Sequence, residues 1–113
     1  MIYKTISEYS SMIHDNKDQP HTLADIILEL GTKYAFLSDT YKDYKLKKNI
    51  YWQKEKFTNE KPISDKTLEL SWSATKEGTE ETRITIELKS LEKLMSVLKT
   101  YLRVIENESR NLH

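Results

Sequence analysis

Lysines and aromatic rings alternate along one stretch of the chain: Tyr41, Lys42, Tyr44, Lys45, Lys47, Lys48, Tyr51, Trp52, Lys54, Lys56, Phe57 and Lys61. Ammonium groups neutralise phosphates and aromatic faces stack on bases. This interleaving is therefore what single-stranded nucleic acid binding uses. Lys42, Lys45, Lys47, Trp52, Lys54 and Lys56 are the candidate contacts for that chemistry. The stretch contains no arginine, which argues against sequence-specific base readout. The competing reading is plainer: lysines that flank a buried helix seam are ordinary solvating groups.

Other chemistry has less to stand on. His14, His21 and His113 fall near element ends or at the terminus, and they are not read as a metal site. Glu77, Glu80 and Glu81 cluster, but paired carboxylates need a pocket to become acid and base. No nucleophile motif and no phosphate-cradling glycine loop is present. The sequence thus offers no catalytic, cofactor-binding or metal-ligating residue, and a non-enzymatic protein without a cofactor is expected.

Composition narrows the fold. Charged residues make up 32% of the 113, hydrophobic ones 37%, and glycine and proline contribute two each. That mixture suits long helices with one buried stripe and points to a single helical domain. There is no cysteine, so disulfides and thiol chemistry are excluded. Net charge is zero, yet residues 1–41 carry three lysines and six acids while residues 42–61 carry seven lysines and three acids. One region is locally basic inside a neutral chain. No run approaches the roughly 18 apolar residues of a membrane span, and the first residues lack a signal-peptide apolar core. A cytoplasmic protein with no membrane partner is expected, in the host cytoplasm if the chain is phage-encoded.

The elements that must hold these residues follow from periodicity. Ile84, Leu88, Leu91, Met95, Leu98, Leu102 and Ile105 recur at alternating steps of four and three. That is a heptad seam, and it predicts a long helix with one dry edge. Leu23, Ile27, Leu30, Tyr34, Leu37, Tyr41, Tyr44, Lys48 and Tyr51 keep a matching beat. Ile2, Ile6, Tyr9 and Ile13 predict a short amphipathic helix that must dock to persist. The expected elements are a helix over about 3–14, one over about 22–57 with Thr22 as its N-cap, a turn at 58–63, and one over about 64–107 with Ser64 as its N-cap. Pro20 is read as a stop signal. Gly31 is read as a close-packing point for the first helix, and Gly78 as a kinked waist in a continuous third helix.

A short connection makes neighbouring helices antiparallel. The fold class expected is therefore all-α: a long antiparallel, coiled-coil-like helical hairpin plus a short N-terminal helix. A turn centred on Lys61 brings Leu30 to Leu91, Tyr34 to Leu88, and Tyr51 to Leu70 or Ser71. It sets Tyr41 and Tyr44 beside the waist, where their hydroxyls would donate to a glutamate, and pairs Lys48 with Glu77. Carrying the seam backwards from Ile84 places Glu81, Glu77, Ala74 and Leu70 along it. Leu94, Val97, Tyr101 and Val104 widen the apolar face beyond one seam, and such a surplus marks a partner surface. These four are the candidate interface for a homo-oligomer.

Lys33-Tyr34 through Tyr44, the Ser64-Asp65 helix start and the run Leu88-Lys89-Ser90-Leu91-Glu92-Lys93-Leu94-Met95-Ser96-Val97-Leu98-Lys99 together resemble a group of small phage and prophage proteins. Those are helical hairpins encoded near replication and recombination genes. The resemblance covers about residues 23–105 and leaves the N-terminal helix outside. It brings no catalytic residues, and it implies an accessory or adaptor in DNA metabolism. Three functional expectations stand side by side: a self-associating helical interaction module, a single-stranded nucleic-acid binder, and an inhibitor or adaptor that docks on a protein machine through one helix face.

Overall fold

The computed structural model describes residues 4–58 and 63–111, and every element among them is an α-helix: α1 (Ile6–Asp15), α2 (Pro20–Thr58), α3 (Asp65–Ala74) and α4 (Lys76–Asn111). The all-α reading and the hairpin of α2 against the returning helices hold. Most of the turn expected at 58–63, together with Ile2, Tyr3, Lys61 and His113, lies outside the described residues.

Local chemistry sets the ends. Thr5 caps α1 by accepting from the Glu8 N–H at 3.2 Å, and the Asn16 side chain closes it by donating to the Met12 carbonyl at 2.7 Å. Ser64 caps α3 as expected, accepting from the Thr67 N–H at 3.2 Å. At α2 the expectation needs correcting. Pro20 opens the helix instead of only ending the previous one. In the first helical position its missing N–H is no loss and its fixed φ already suits a helix. Thr22 accordingly sits inside the first turn, not at the cap.

The third helix is not continuous. It breaks at Thr75, whose φ of −75° and ψ of 163° are extended. Thr75 serves both ends at once. Its hydroxyl donates to the Trp72 carbonyl at 2.6 Å and accepts from the Gly78 N–H at 3.0 Å, so α3 is closed and α4 capped by one side chain. Gly78 is required here for space: a Cβ on it would fall on top of the Trp72 carbonyl oxygen. The break also resets the helical register. Carrying the seam backwards placed Leu70, Ala74 and Glu77 inward, but all three are exposed, and Leu68 and Trp72 are buried in their place. Gly31 is corrected as well, because a Cβ there meets nothing within 4 Å.

The chain divides into two compact units, one of residues up to Phe36 with those from Glu87 onward, the other of Leu37–Ile86. In the first, Tyr9 and Ile13 of α1, Leu23, Ile26 and Leu30 of α2, and Leu91 and Leu98 of α4 form the core. Each such leucine contributes about 1.5–3 kcal/mol by leaving water. Lys33 is the one buried charge among the described residues. Its Nζ lies 2.9 Å from a Glu87 oxygen and donates to the Lys4 carbonyl at 3.0 Å, tying the segment before α1 to α2. The Tyr9 hydroxyl donates to Glu29 at 2.9 Å and that of Tyr34 to Glu92 at 2.7 Å.

In the second unit Leu68, Trp72 and Ile84 are buried, and the Tyr51 and Trp72 rings lie 5.4 Å apart. The Tyr51 and Ser71 hydroxyls hydrogen-bond, as the hairpin register anticipated. Partners descend as contacts climb α2, from Lys48 with Glu81 of α4 to Tyr51 with Ser71 and Lys56 with Asp65 of α3, which is the antiparallel sense.

Candidate interaction surfaces

The basic stretch lies on the second half of α2. Its buried edge is the seam, where Tyr41, Tyr44, Lys48 and Tyr51 are all half-buried. The lysines around it are largely committed within the protein. Lys45 stands 5.4 Å from the centroid of the Tyr41 ring and Lys47 stands 5.0 Å from that of Tyr44. A hydrogen bond with the Tyr41 hydroxyl raises the Lys45 pKa above its usual 10.5, opposed by slight burial and helped by the charges of Tyr41, Glu81 and Glu69. Lys48 lies 3.0 Å from Glu69 and 3.7 Å from Glu81, with its ammonium 5.4 Å from the Trp52 ring. Its expected partner, Glu77, is one turn away and exposed.

Trp52 is the candidate stacking ring of the stretch. It is half-buried, and its indole N–H donates to Asp65 at 3.2 Å. Lys56 reaches the same carboxylate at 3.1 Å. The hydrogen bond from Lys56, then that from Trp52, then the Lys56 charge hold the Asp65 pKa below its usual 3.8. Lys42 is exposed and lies 3.9 Å from Asp39, and Lys54 is exposed. Lys45, Lys48, Asn49, Trp52, Gln53 and Glu69 line an open recess of about 460 Å³. Its lining is two lysines, two amides, the Trp52 ring and one carboxylate already paired to lysine.

The tyrosine–glutamate bonds expected at Tyr41 and Tyr44 occur instead at Tyr9 and Tyr34. Glu81 does lie inward, as the seam implied, and its charge is met by Lys48 and by the Trp72 indole N–H at 3.2 Å. Glu80 pairs with Arg83 at 2.9 Å, and Glu77 is exposed, so the three glutamates do not converge. His14 and His21 are exposed, and no cluster of three metal-ligating side chains occurs among the described residues.

The candidate interface divides by exposure. Leu94 and Tyr101 are half-buried against the first unit's core, while Val97 and Val104 are 42% and 47% exposed. Tyr101, Val104 and Ile105 line a groove of about 230 Å³ together with Lys17, Asp18 and Glu108.

One apolar surface was missed from the sequence. Leu46, Ile50 and Phe57 are 61%, 66% and 78% exposed, and with Gln53 between the last two they advance in steps of four, three and four. At 100° per residue they share the face of α2 turned away from its buried seam. The signal was present as a second heptad beat, hidden among the lysines that drew attention to the same residues. Leu70 and Ile86 are further exposed apolar side chains of this unit, at 66% and 61%.

Comparison with protein-family models, with characterised proteins and with solved structures finds no match to the chain. No described helix is long and apolar enough to cross a membrane.

Proposed function

We propose that this chain is a non-enzymatic helical interaction module that associates with itself and offers its outer helix faces to other proteins. One observation carries the reading: large apolar side chains recur at heptad spacing on exposed faces of α2 and α4, outside the seams that build the core. Exposed apolar strips of this regularity are how helices recruit helices. The candidate face for self-association is the edge of α4 formed by Leu94, Val97, Tyr101 and Val104.

The nucleic-acid reading of residues 41–61 is the weaker one. Base stacking needs open ring faces, whereas Tyr41 and Tyr44 lie beneath Lys45 and Lys47, and Trp52 is half-buried with its N–H engaged. Lys48 and Lys56 already face carboxylates.

Molar mass measured by light scattering across a range of concentrations tests the proposal. A mass rising from 13.4 kDa to a multiple of it is expected, with Val97→Glu returning the protein to one chain. A single-chain mass at every concentration would overturn self-association.

A further inference from the structure

We propose that two copies of the chain pair through the exposed edge of α4 in antiparallel register, with the two-fold axis beside the Thr100–Tyr101 peptide. The proposal rests on the self-association argued above and specifies its geometry. Its basis is a palindrome in space and charge. Lys93, Val97, Val104 and Glu108 follow one another at steps of four, seven and four, and all four side chains are exposed. At 100° per residue they fall within about 60° of one another on the helix circumference.

Running a second copy in reverse along this strip sets Val97 against Val104 of the copy, and Lys93 against Glu108 of the copy. Each contact occurs twice, as a closed two-fold interface requires. The centre is apolar and dry, and opposite charges close both ends. A parallel arrangement sets Lys93 against Lys93 and Glu108 against Glu108, so the charges select one orientation.

The other apolar strip lacks this property. Leu46, Ile50 and Phe57 are bordered by Lys42, Lys45, Lys47, Lys54 and Lys56, and a reversed copy there brings Lys47 against Lys56. Like charges oppose self-pairing on α2 and leave that face to a partner of the other sign. The α4 strip is the one whose complement the chain itself carries.

The absence of cysteine makes the register directly measurable. Thr100 is exposed and beside the axis, so Thr100→Cys places two thiols within disulfide reach in the pair. Lys93→Cys places its two thiols about 20 Å apart in the antiparallel pair but opposite each other in a parallel one. Under mild oxidation Thr100→Cys is expected to cross-link at least tenfold faster than Lys93→Cys. Charge reversal gives a second readout. Lys93→Glu and Glu108→Lys alone should each weaken association about tenfold, and an equimolar mixture should restore it as the mixed dimer. Preferential cross-linking at residue 93 would overturn the antiparallel register. Dimers by light scattering with no cross-linking at either position would overturn the α4 pairing and leave self-association standing through another face. A single-chain mass at all concentrations would overturn both.

Discussion

The Trp72 indole N–H donates to Glu81 at 3.2 Å across the break between α3 and α4. Lys48 of α2 reaches the same carboxylate at 3.7 Å. One largely buried acid thus joins three helices of the second unit. Glu81→Ala leaves a buried N–H without its acceptor and should cost about 1–3 kcal/mol. Glu77→Ala, at an exposed site four residues away, should stay within about 0.5 kcal/mol. Urea denaturation of both variants checks the contrast, and equal midpoints would show that Glu81 holds nothing together.

The two glycines should respond with opposite signs. A Cβ at Gly31 meets open space inside α2, so Gly31→Ala should stabilise by about 1 kcal/mol through helix propensity. A Cβ at Gly78 collides with the Trp72 backbone, so Gly78→Ala must shift the α3–α4 junction and should destabilise by more than about 1 kcal/mol. Thermal melts by circular dichroism measure both, and a stabilised Gly78→Ala would contradict the close approach.

Truncating the core should separate cleanly from truncating the outer strip. Leu91 is fully buried, and Leu91→Ala should cost about 2–5 kcal/mol. Ile50 is 66% exposed, and Ile50→Ser should leave stability within about 0.5 kcal/mol. A large loss at Ile50 would mean that the strip is structural and unavailable to a partner.

Acid titration tests the Asp65 contact. The folded-state pKa lies below 3.8 because Lys56 and Trp52 hydrogen-bond the carboxylate. A depressed pKa contributes stability that is complete above the unfolded value and lost as pH falls through the folded one. The Asp65 carboxyl carbon, followed by NMR, should therefore titrate below 3.8, and Lys56→Met should move the midpoint back toward it. An unchanged midpoint in the variant would remove Lys56 as the cause.

Much of this architecture is legible in the sequence because seam residues obey one period. From Leu23 to Tyr51 every seam position expected in α2 is buried or half-buried, as is every one from Ile84 to Ile105 in α4. Periodicity fails where the period itself is interrupted. Thr75 leaves helical geometry and turns the following helix to a new angle, so the seam carried backwards from Ile84 selected Leu70 where Leu68 and Trp72 are the core. Thr79, Thr82 and Thr85 are weak helix formers, but each hydroxyl donates to the carbonyl four residues earlier and is satisfied inside α4. Charge pairing was legible only in kind. Lys48 does meet glutamates near the seam, yet which ones depends on a register that the break moves by a turn. The state of the basic stretch was hidden for a different reason. Whether a lysine faces water or lies across a tyrosine ring depends on rotamers, which spacing does not encode.

Lys33 has a consequence for labelling chemistry. The residue is 7% exposed and its amine is held between Glu87 and the Lys4 carbonyl, while Lys42, Lys45 and Lys47 stand at the surface. An acylating reagent needs room to approach the amine, and Lys33 offers none while α1 stays docked. Its rate of modification, read by mass spectrometry against that of the surface lysines, becomes a clock for the undocking of the N-terminal helix.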